Sequence, residues 1–400
     1  MKKLYLLLLA AIIGVADALI LKGFEFVTTE GSLYVWNDIF KTDVYRWGVI
    51  PLAIVLSIVL GFVLRWTNQE RLVKPKLSPV DKEPNAGPPT LKTLGIITIV
   101  GIVSLLAGAS LGPEASLVAI TGGLGTWVAL RTKNEKAAPL MELASIGGLL
   151  VAFVSSLFLL LIPILMLWQK KQLKIATALP VLIAGSTSFI TLLIMDPSAN
   201  TFGELAWPHF PLSEIALALA LGFTTAGLGW LLKKFISRVH GTATKFQSKL
   251  SWPVTAGIFG SIIGVLYFIG GPTIQFSGSV GTQQLVTAAP TYTLTILIII
   301  LFTKLLVTGW SLATGYRGGL VFPSIFVGVS IALIAERLTG ITNTGVMVGA
   351  IAGVLAAMTG PAMGFIFVMA ILPFTMVFVA LAGTVGAVAG NKLLSKLNLD

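Results

Sequence analysis

Two segments, Gly108 to Ile120 (GASLGPEASLVAI) and Gly315 to Gly328 (GYRGGLVFPSIFVG), set glycines, a proline and a polar group inside otherwise apolar sequence. In lipid a backbone leaves helical geometry only where protein or a water-filled cavity satisfies its polar groups, so such segments line a path for something charged. The first also carries a carboxylate, Glu114, which is costly enough at that depth to read as functional by default.

Hydrophobic residues make up 56% of the 400 and charged residues 11%, with a mean hydropathy of +0.94. That leaves too little polar surface to coat a soluble globule. Apolar stretches recur at about 4–21, 47–65, 93–110, 115–130, 143–168, 175–195, 212–232, 252–270, 291–309, 318–335, 345–359 and 362–390. Several approach the ~20 residues a spanning helix needs, and others are too short to span alone. The pattern predicts an all-α polytopic membrane protein with tilted, broken and re-entrant helices. The 42 glycines suit close helix contacts, as in GTVGAVAG (Gly383 to Gly390).

A net charge of +11 would suit nucleic acid, but the basic residues stand in the connections: Lys2 and Lys3, the 65–92 region, Arg131 to Lys136, Lys170 to Lys174 and Lys233 to Lys249. Basic loops mainly set orientation in a bilayer, so lipid is the expected partner, no nucleic acid is, and the amino end and the 65–92 region are placed on the cytoplasmic side. The start, MKKLYLLLLAAIIGVADALI, has two readings: a secretory signal with small residues around Asp17, or an uncleaved first helix. In a chain this apolar the second is simpler. Absence of cysteine removes disulfides, thiolate metal sites and redox chemistry together, and leaves the compartment undecided.

Residues 68–90 (NQERLVKPKLSPVDKEPNAGPPT) form a polar linker too short for a domain of its own. The expectation is one transmembrane domain over 1–400, with a first repeat at about 10–190 and a second at about 212–395. Gly123 and Gly328, Ile146 and Ile351, Gly148 and Gly353, and Leu150 and Leu355 all share an offset of 205, which sets Glu114 beside Gly319. Inverted repeats of this kind place a substrate where the halves meet.

At these residues the chain resembles the CLC family of chloride channels and proton-coupled chloride exchangers. Gly112-Pro113-Glu114-Ala115-Ser116 is similar to the family's G-[KR]-E-G-P element with the glutamate in register. Gly319-Leu320-Val321-Phe322-Pro323, preceded by Gly318, is similar to its G-x-F-x-P element. Lys304, at the family's usual spacing before that element, and AIAGVLAAMTGPAMGFIFVMA (Ala350 to Ala370) extend the likeness, as do SRVHGTATK and GIFGSIIGVLYFIGGPTIQFSGSVG. The resemblance covers about 45–395 and implies an inverted-repeat, homodimeric inner-membrane protein without a regulatory domain, each subunit holding its own path for chloride or another small anion. Helix N-termini would point at ions held partway across, since their free N–H groups carry a partial charge of roughly +0.5 that attracts an anion without trapping it.

By that resemblance Glu114 is the gate, competing with the anion when ionised and leaving when protonated. The plain alternative is a helix-capping glutamate. The implied anion path is Gly112, Pro113, Ala115, Ser116, Gly318, Gly319, Leu320, Val321 and Phe322. Arg317 is unusual for such an element and has three open readings: attracting anions, pairing with Glu114, or snorkelling to an interface. Tyr316 stands either for a missing anion-contacting hydroxyl or for a packing anchor.

The departures bear on mechanism. No G-S-G-I-P element is recognisable, the 68–90 linker standing where it would fall, and Tyr316 is the last tyrosine, so the family's carboxyl-terminal tyrosine is absent. Where family exchangers carry an internal proton-accepting glutamate, this chain reads IPILMLWQKKQ, with Trp168 and Gln169 near the position. That favours channel-like conduction over strict proton exchange, with Glu142 or another acid left as an unorthodox proton route. Asp17, Glu142, Glu204, Glu214 and Glu336 stand near the ends of apolar stretches, where capping or solvation accounts for them. Lys304 lies deeper and is expected to pair with backbone carbonyls.

Two other classes compete. Gly108-Ala109-Ser110-Leu111-Gly112 satisfies the G-x-S-x-G nucleophile pattern, but His209 and His240 are the only histidines and neither lies on an apolar helix, so no enzyme activity is expected. A non-transporting membrane scaffold is distinguished by anion flux in liposomes alone. Two distant histidines make no metal site, and no phosphate loop is present, so no cofactor is expected.

Overall fold

The computed structural model describes residues 2–41, 44, 46–69, 72, 75, 88–132, 135–196, 212–340, 344–371 and 376–397. Helix α1 (Lys2–Glu25) runs on through the π-helical turns Phe26–Glu30 and Tyr34–Ile39, which flank the single turn α2 (Gly31–Leu33). Then come α3 (Val49–Trp66), α4 (Leu91–Leu106), α5 (Glu114–Arg131), α6 (Ala138–Val154), α7 (Leu161–Gln169) and α8 (Ile175–Met195). The second half holds α9 (Leu212–Gln247), α10 (Trp252–Gly270), α11 (Ser279–Thr287), α12 (Leu294–Ala313), α13 (Val321–Thr339), α14 (Thr344–Thr359), α15 (Pro361–Ile371) and α16 (Val377–Lys396). Nine of the described helices are long and apolar enough to cross a membrane, and four shorter apolar helices accompany them. The fold is all-α, an inverted repeat of tilted and broken helices.

Local chemistry sets where the helices stop. Thr90 and Thr293 accept from the N–H groups of Thr93 and Ile296, capping α4 and α12. Both helices end before a glycine in left-handed geometry, Gly108 at φ +90° and Gly315 at φ +91°, which sends the chain out of the helix toward the centre. The stretch expected at 93–110 therefore ends as helix at Leu106, and that at 318–335 begins at Val321. The stretch at 143–168 is broken by Ser155 at φ +55°, and that at 362–390 is divided between α15 and α16.

Small residues carry the packing. A Cβ on Gly260 of α10 would strike Ser57 and the Ala53 carbonyl of α3, and one on Gly222 of α9 would strike the Gly383 backbone of α16. Without a hydrophobic drive between helices in lipid, such close approach supplies the van der Waals contact that holds them. Large apolar side chains left exposed, such as Val55, Val59 and Phe62 on α3 and Phe378, Leu381 and Val385 on α16, suit an acyl-chain environment.

At the glycine segments the repeat has a different register from the expected one. Gly108 and Gly315, Gly112 and Gly319, and the helix starts Glu114 and Val321 all stand 207 apart. Gly112, not Glu114, is thus the counterpart of Gly319. Farther along, α6 and α14 begin 206 apart, at Ala138 and Thr344, and end 205 apart, at Val154 and Thr359. The connection after α5 spans 132–137 and that after α13 only 340–343, so the register slips between the two pairs.

Asp17 also departs from expectation. It is not near a helix end: α1 continues past it to Glu25 and onward, and Asp17 is fully buried among α1, α5, α6 and α8. Glu214, in the first turn of α9, is buried too and lies against Gly345 in the first turn of α14. Glu204, His209 and most of the 68–90 linker lie outside the described residues. Leu72, from that linker, packs against Gly315.

Candidate functional site

The two glycine segments meet. Gly112 N–H donates to Gly319 O at 2.9 Å and Gly319 N–H donates to Gly112 O at 2.7 Å, an antiparallel bridge between the loops that precede α5 and α13. From this crossing the two helices depart with their N-termini close together. Pro113 precedes the first residue of α5, and Pro323 stands in the first turn of α13, where neither needs an N–H.

Glu114 is the first residue of α5 and its side chain crosses to the other helix. Its Oε1 accepts from Phe322 N–H at 3.0 Å, in the first turn of α13. The N–H groups of Val321 and of Glu114 itself also lie beside the carboxyl group. The residue is 4% exposed and its Oε2 is buried without a hydrogen-bond partner. Gly112 and Gly319 make the room, since a Cβ on either would fall on the Glu114 carboxylate. The N-terminus of α13, where a helix carries its partial positive charge, is thus met by the protein's own carboxylate.

Around it, Gly318 lies against Leu111 and the Gly112 carbonyl. Leu320 and Val321 are buried, and Phe322 packs its ring on Phe153 of α6 at 5.2 Å between centroids. Ser116 turns away from the carboxylate toward Gly101 of α4, and Ala115 is half-buried. A cavity is lined by Thr28, Ser32, Leu111, Pro113, Gln275 and Ser277, so that Pro113, next to Glu114 in the chain, forms part of its wall. Behind its wall Lys304, fully buried, donates to the carbonyls of Ile274 (3.0 Å) and Phe276 (2.8 Å) and lies over the Phe326 ring.

Tyr316 and Arg317 are not on Glu114. The Tyr316 hydroxyl pairs with Ser57 of α3 at 2.6 Å, both groups buried, and the Arg317 backbone N–H donates to Ser104 Oγ at 2.7 Å. The Arg317 side chain is partly exposed. Ser110 is held by hydroxyl groups, with Thr308 Oγ1 at 3.0 Å and the Tyr267 hydroxyl beside it, while its N–H donates to Ser311 Oγ at 3.2 Å. None of these is a base of the kind a serine nucleophile requires. His240 instead hydrogen-bonds through Nδ1 with the Ala313 carbonyl oxygen.

Ser57, Ser104, Thr308 and Ser311 were not singled out from sequence. Ser57 left a signal, as the lone hydroxyl in VIPLAIVLSIVLGFVLRW. Its partner stands 259 residues away, a separation over which no local pattern speaks.

Comparison with known proteins agrees with this architecture. The chain is 26% identical over 355 residues to the putative ion-transport protein YfeO of Escherichia coli O139:H28 (strain E24377A / ETEC), covering 84% of this chain and 79% of that protein. YfeO of Shigella flexneri gives the same figures. Among solved structures, a slow cyanobacterial Cl−/H+ antiporter superposes with a TM-score of 0.75 at 15% identity, covering 98% of both chains. A CLC-type fluoride/proton antiporter gives 0.72 at 15% identity, covering 95% of this chain and 94% of the other. The family model for the voltage gated chloride channel matches residues 72–392, most of the chain. The chain belongs to the CLC family of membrane ion-transport proteins.

Proposed function

We propose that this protein carries small monovalent anions, chloride first among them, along a path gated by Glu114. The observation that carries the reading is the Glu114 carboxylate on the Phe322 N–H at the start of α13, buried and in the place an anion would take. Ionised, it competes with the anion; protonated, it loses its attraction to the helix end and frees the position. The path comprises Gly112, Pro113, Ala115 and Ser116 on one segment and Gly318 to Phe322 on the other, with the Tyr316–Ser57 hydroxyl pair offering its one remaining hydrogen to an anion. Arg317, partly exposed and on the same loop, adds a positive charge beside that route.

Chloride is supported by the cyanobacterial neighbour, described as a Cl−/H+ antiporter, and fluoride is the competing substrate because the second neighbour is described as a fluoride/proton antiporter. A channel-like mode follows from Trp168 and Gln169 at the end of α7. A proton-coupled mode is the second reading, favoured by the buried carboxyl group of Asp17. A homodimer in the inner membrane completes the proposal, on the strength of the family, and single-molecule photobleaching of labelled subunits would count two steps for it.

The test is ion flux from liposomes holding the purified protein, under a potassium-valinomycin clamp, with chloride, fluoride and nitrate compared. Efflux above that of empty vesicles, altered by Glu114→Gln, supports the reading. No efflux of any anion supports a non-transporting scaffold, and flux indifferent to Glu114→Gln removes the gate.

A further inference from the structure

The cavity beside Pro113 is lined by polar side chains that the rest of the protein leaves unpaired. Gln275 is 7% exposed and Ser32 2%, and neither the amide nor the hydroxyl makes a hydrogen bond among the described residues. Other polar groups of the wall are already occupied, Thr28 Oγ1 donating to the Phe24 carbonyl and Ser277 pairing with Ser279 at 3.1 Å. The rim is open to the outside, for Thr29 and Val280, which also line the cavity, are exposed. The cavity holds about 50 Å³. A single water needs roughly 10–15 Å³, so a small polar guest fits.

Charge behind the wall decides which guest. Lys304 is fully buried, and its ammonium group spends two of its three N–H donors on the carbonyls of Ile274 and Phe276. No acid among the described residues pairs with it. Gly278 touches both sides: it lines the cavity, and a Cβ on it would come within 2.9 Å of Lys304 Nζ. The same glycine is the N-cap of α11, whose start adds a partial positive charge. Glu25 and Glu30, the acids nearest in sequence to Thr28 and Ser32, are not on the cavity wall, and Glu114 is engaged by the Phe322 N–H. A buried ammonium group without a counter-charge is costly. Water in the cavity would satisfy Gln275 and Ser32 and leave that charge uncompensated, whereas an anion answers all three.

We infer that this cavity binds a small monovalent anion of halide size, held by the Gln275 amide, the Ser32 hydroxyl and the start of α11, and serving as the diffusible counter-ion of Lys304. Ser32 belongs to α2, between the two π-helical turns, and Gln275 to the 271–278 connection. The anion therefore ties the extension of α1 to the approach to α11, where Trp36 already packs on Phe276 at 5.5 Å between centroids. Glu114 takes no part in the site, so it stands apart from the gated path and stabilises the fold whether or not an anion crosses.

Two measurements on the full chain test it. In crystals grown with bromide, diffraction at the bromine edge is expected to show an anomalous peak within hydrogen-bond distance of Gln275 and Ser32. In detergent solution, replacing gluconate by chloride at constant ionic strength is expected to raise the melting temperature by a few degrees, since a ligand that binds only the folded state stabilises it. That rise should be present in wild type and in Glu114→Gln alike, and largely absent in Gln275→Leu. Should Gln275→Leu fail to fold, Ser32→Ala removes one donor and is expected to need several-fold more chloride for the same rise. A cavity holding water alone overturns the proposal. So does a bromide peak there with the chloride response unchanged in the folded variants, which means binding at crystal concentration only. A response lost in Glu114→Gln and kept in Gln275→Leu places the anion at the gate and overturns it as well. A cavity peak with the expected chloride response, in a protein that moves no anion across liposomes, upholds the site and overturns the transport reading instead.

Discussion

Gly112 and Gly319 exchange a pair of backbone hydrogen bonds at 2.9 and 2.7 Å, and the Glu114 carboxylate fills the space that a side chain on either would need. The bridge ties the loop before α5 to the loop before α13, so the two helix ends cannot drift apart. Adding a methyl group tests both functions at once. Gly319→Ala is expected to lower stability by about 1–3 kcal/mol through overpacking. It should also displace the carboxylate from Phe322 and weaken the pH response of flux. A variant as stable as wild type, with an unaltered pH profile, would show that the glycines are not shaped around Glu114.

The bond from Phe322 N–H to Glu114 Oε1 predicts the direction of pH dependence. Protonation removes the negative charge that the α13 end attracts, so flux should rise as pH falls. A carboxylate at a helix N-terminus is worth up to about 2 kcal/mol when partly buried. Relieving 1–2 kcal/mol of competition corresponds to a factor of about 5–30 in anion occupancy. Glu114→Gln should therefore be conductive and flat with pH, and flux that still climbs with acid in that variant assigns the pH sensor elsewhere.

What the sequence made legible was whatever is written locally. Glycine, proline and an acid within apolar sequence located Gly112, Glu114 and Gly319, because no lipid-facing helix tolerates that combination. Asp17 was misread because distance along an apolar run does not give depth: α1 continues through two π-helical turns to Ile39, which leaves the acid mid-helix. Register failed for a similar reason. An offset of 205 describes the ends of α6 and α14, and the longer connection after α5 makes it 207 at the glycines. Ser57 and Tyr316 are joined only by tertiary packing, made close by Gly260 against α3.

That hydroxyl pair gives a third expectation. Ser57 and Tyr316 share one hydrogen bond at 2.6 Å, so one of the two hydroxyl hydrogens remains available to another acceptor. Tyr316→Phe leaves Ser57 buried without its partner, at a cost of about 1–3 kcal/mol. If the pair contacts the anion, the variant's preference among chloride, fluoride and nitrate should change along with its stability. A drop in melting temperature with unchanged selectivity would limit the pair to holding α3 against the α12–α13 loop.

Lys304 separates electrostatics from architecture. Its ammonium group donates to two carbonyls of the 271–278 turn, and that turn supplies Gln275, Phe276, Ser277 and Gly278 to the wall of the cavity that Pro113 also lines. Lys304→Met keeps the length of the side chain and removes the charge. Two carbonyls lose their donor, at about 1–3 kcal/mol each. Against that, the desolvation cost of a buried ammonium group, several kcal/mol, disappears. The two effects are of similar size and opposite sign, so the melting temperature should move little. The loss of a positive charge behind the cavity wall should nevertheless lower flux several-fold at low chloride while sparing the saturated rate. Equal loss at all concentrations would instead mean that the turn has collapsed and that Lys304 serves the cavity only as a strut.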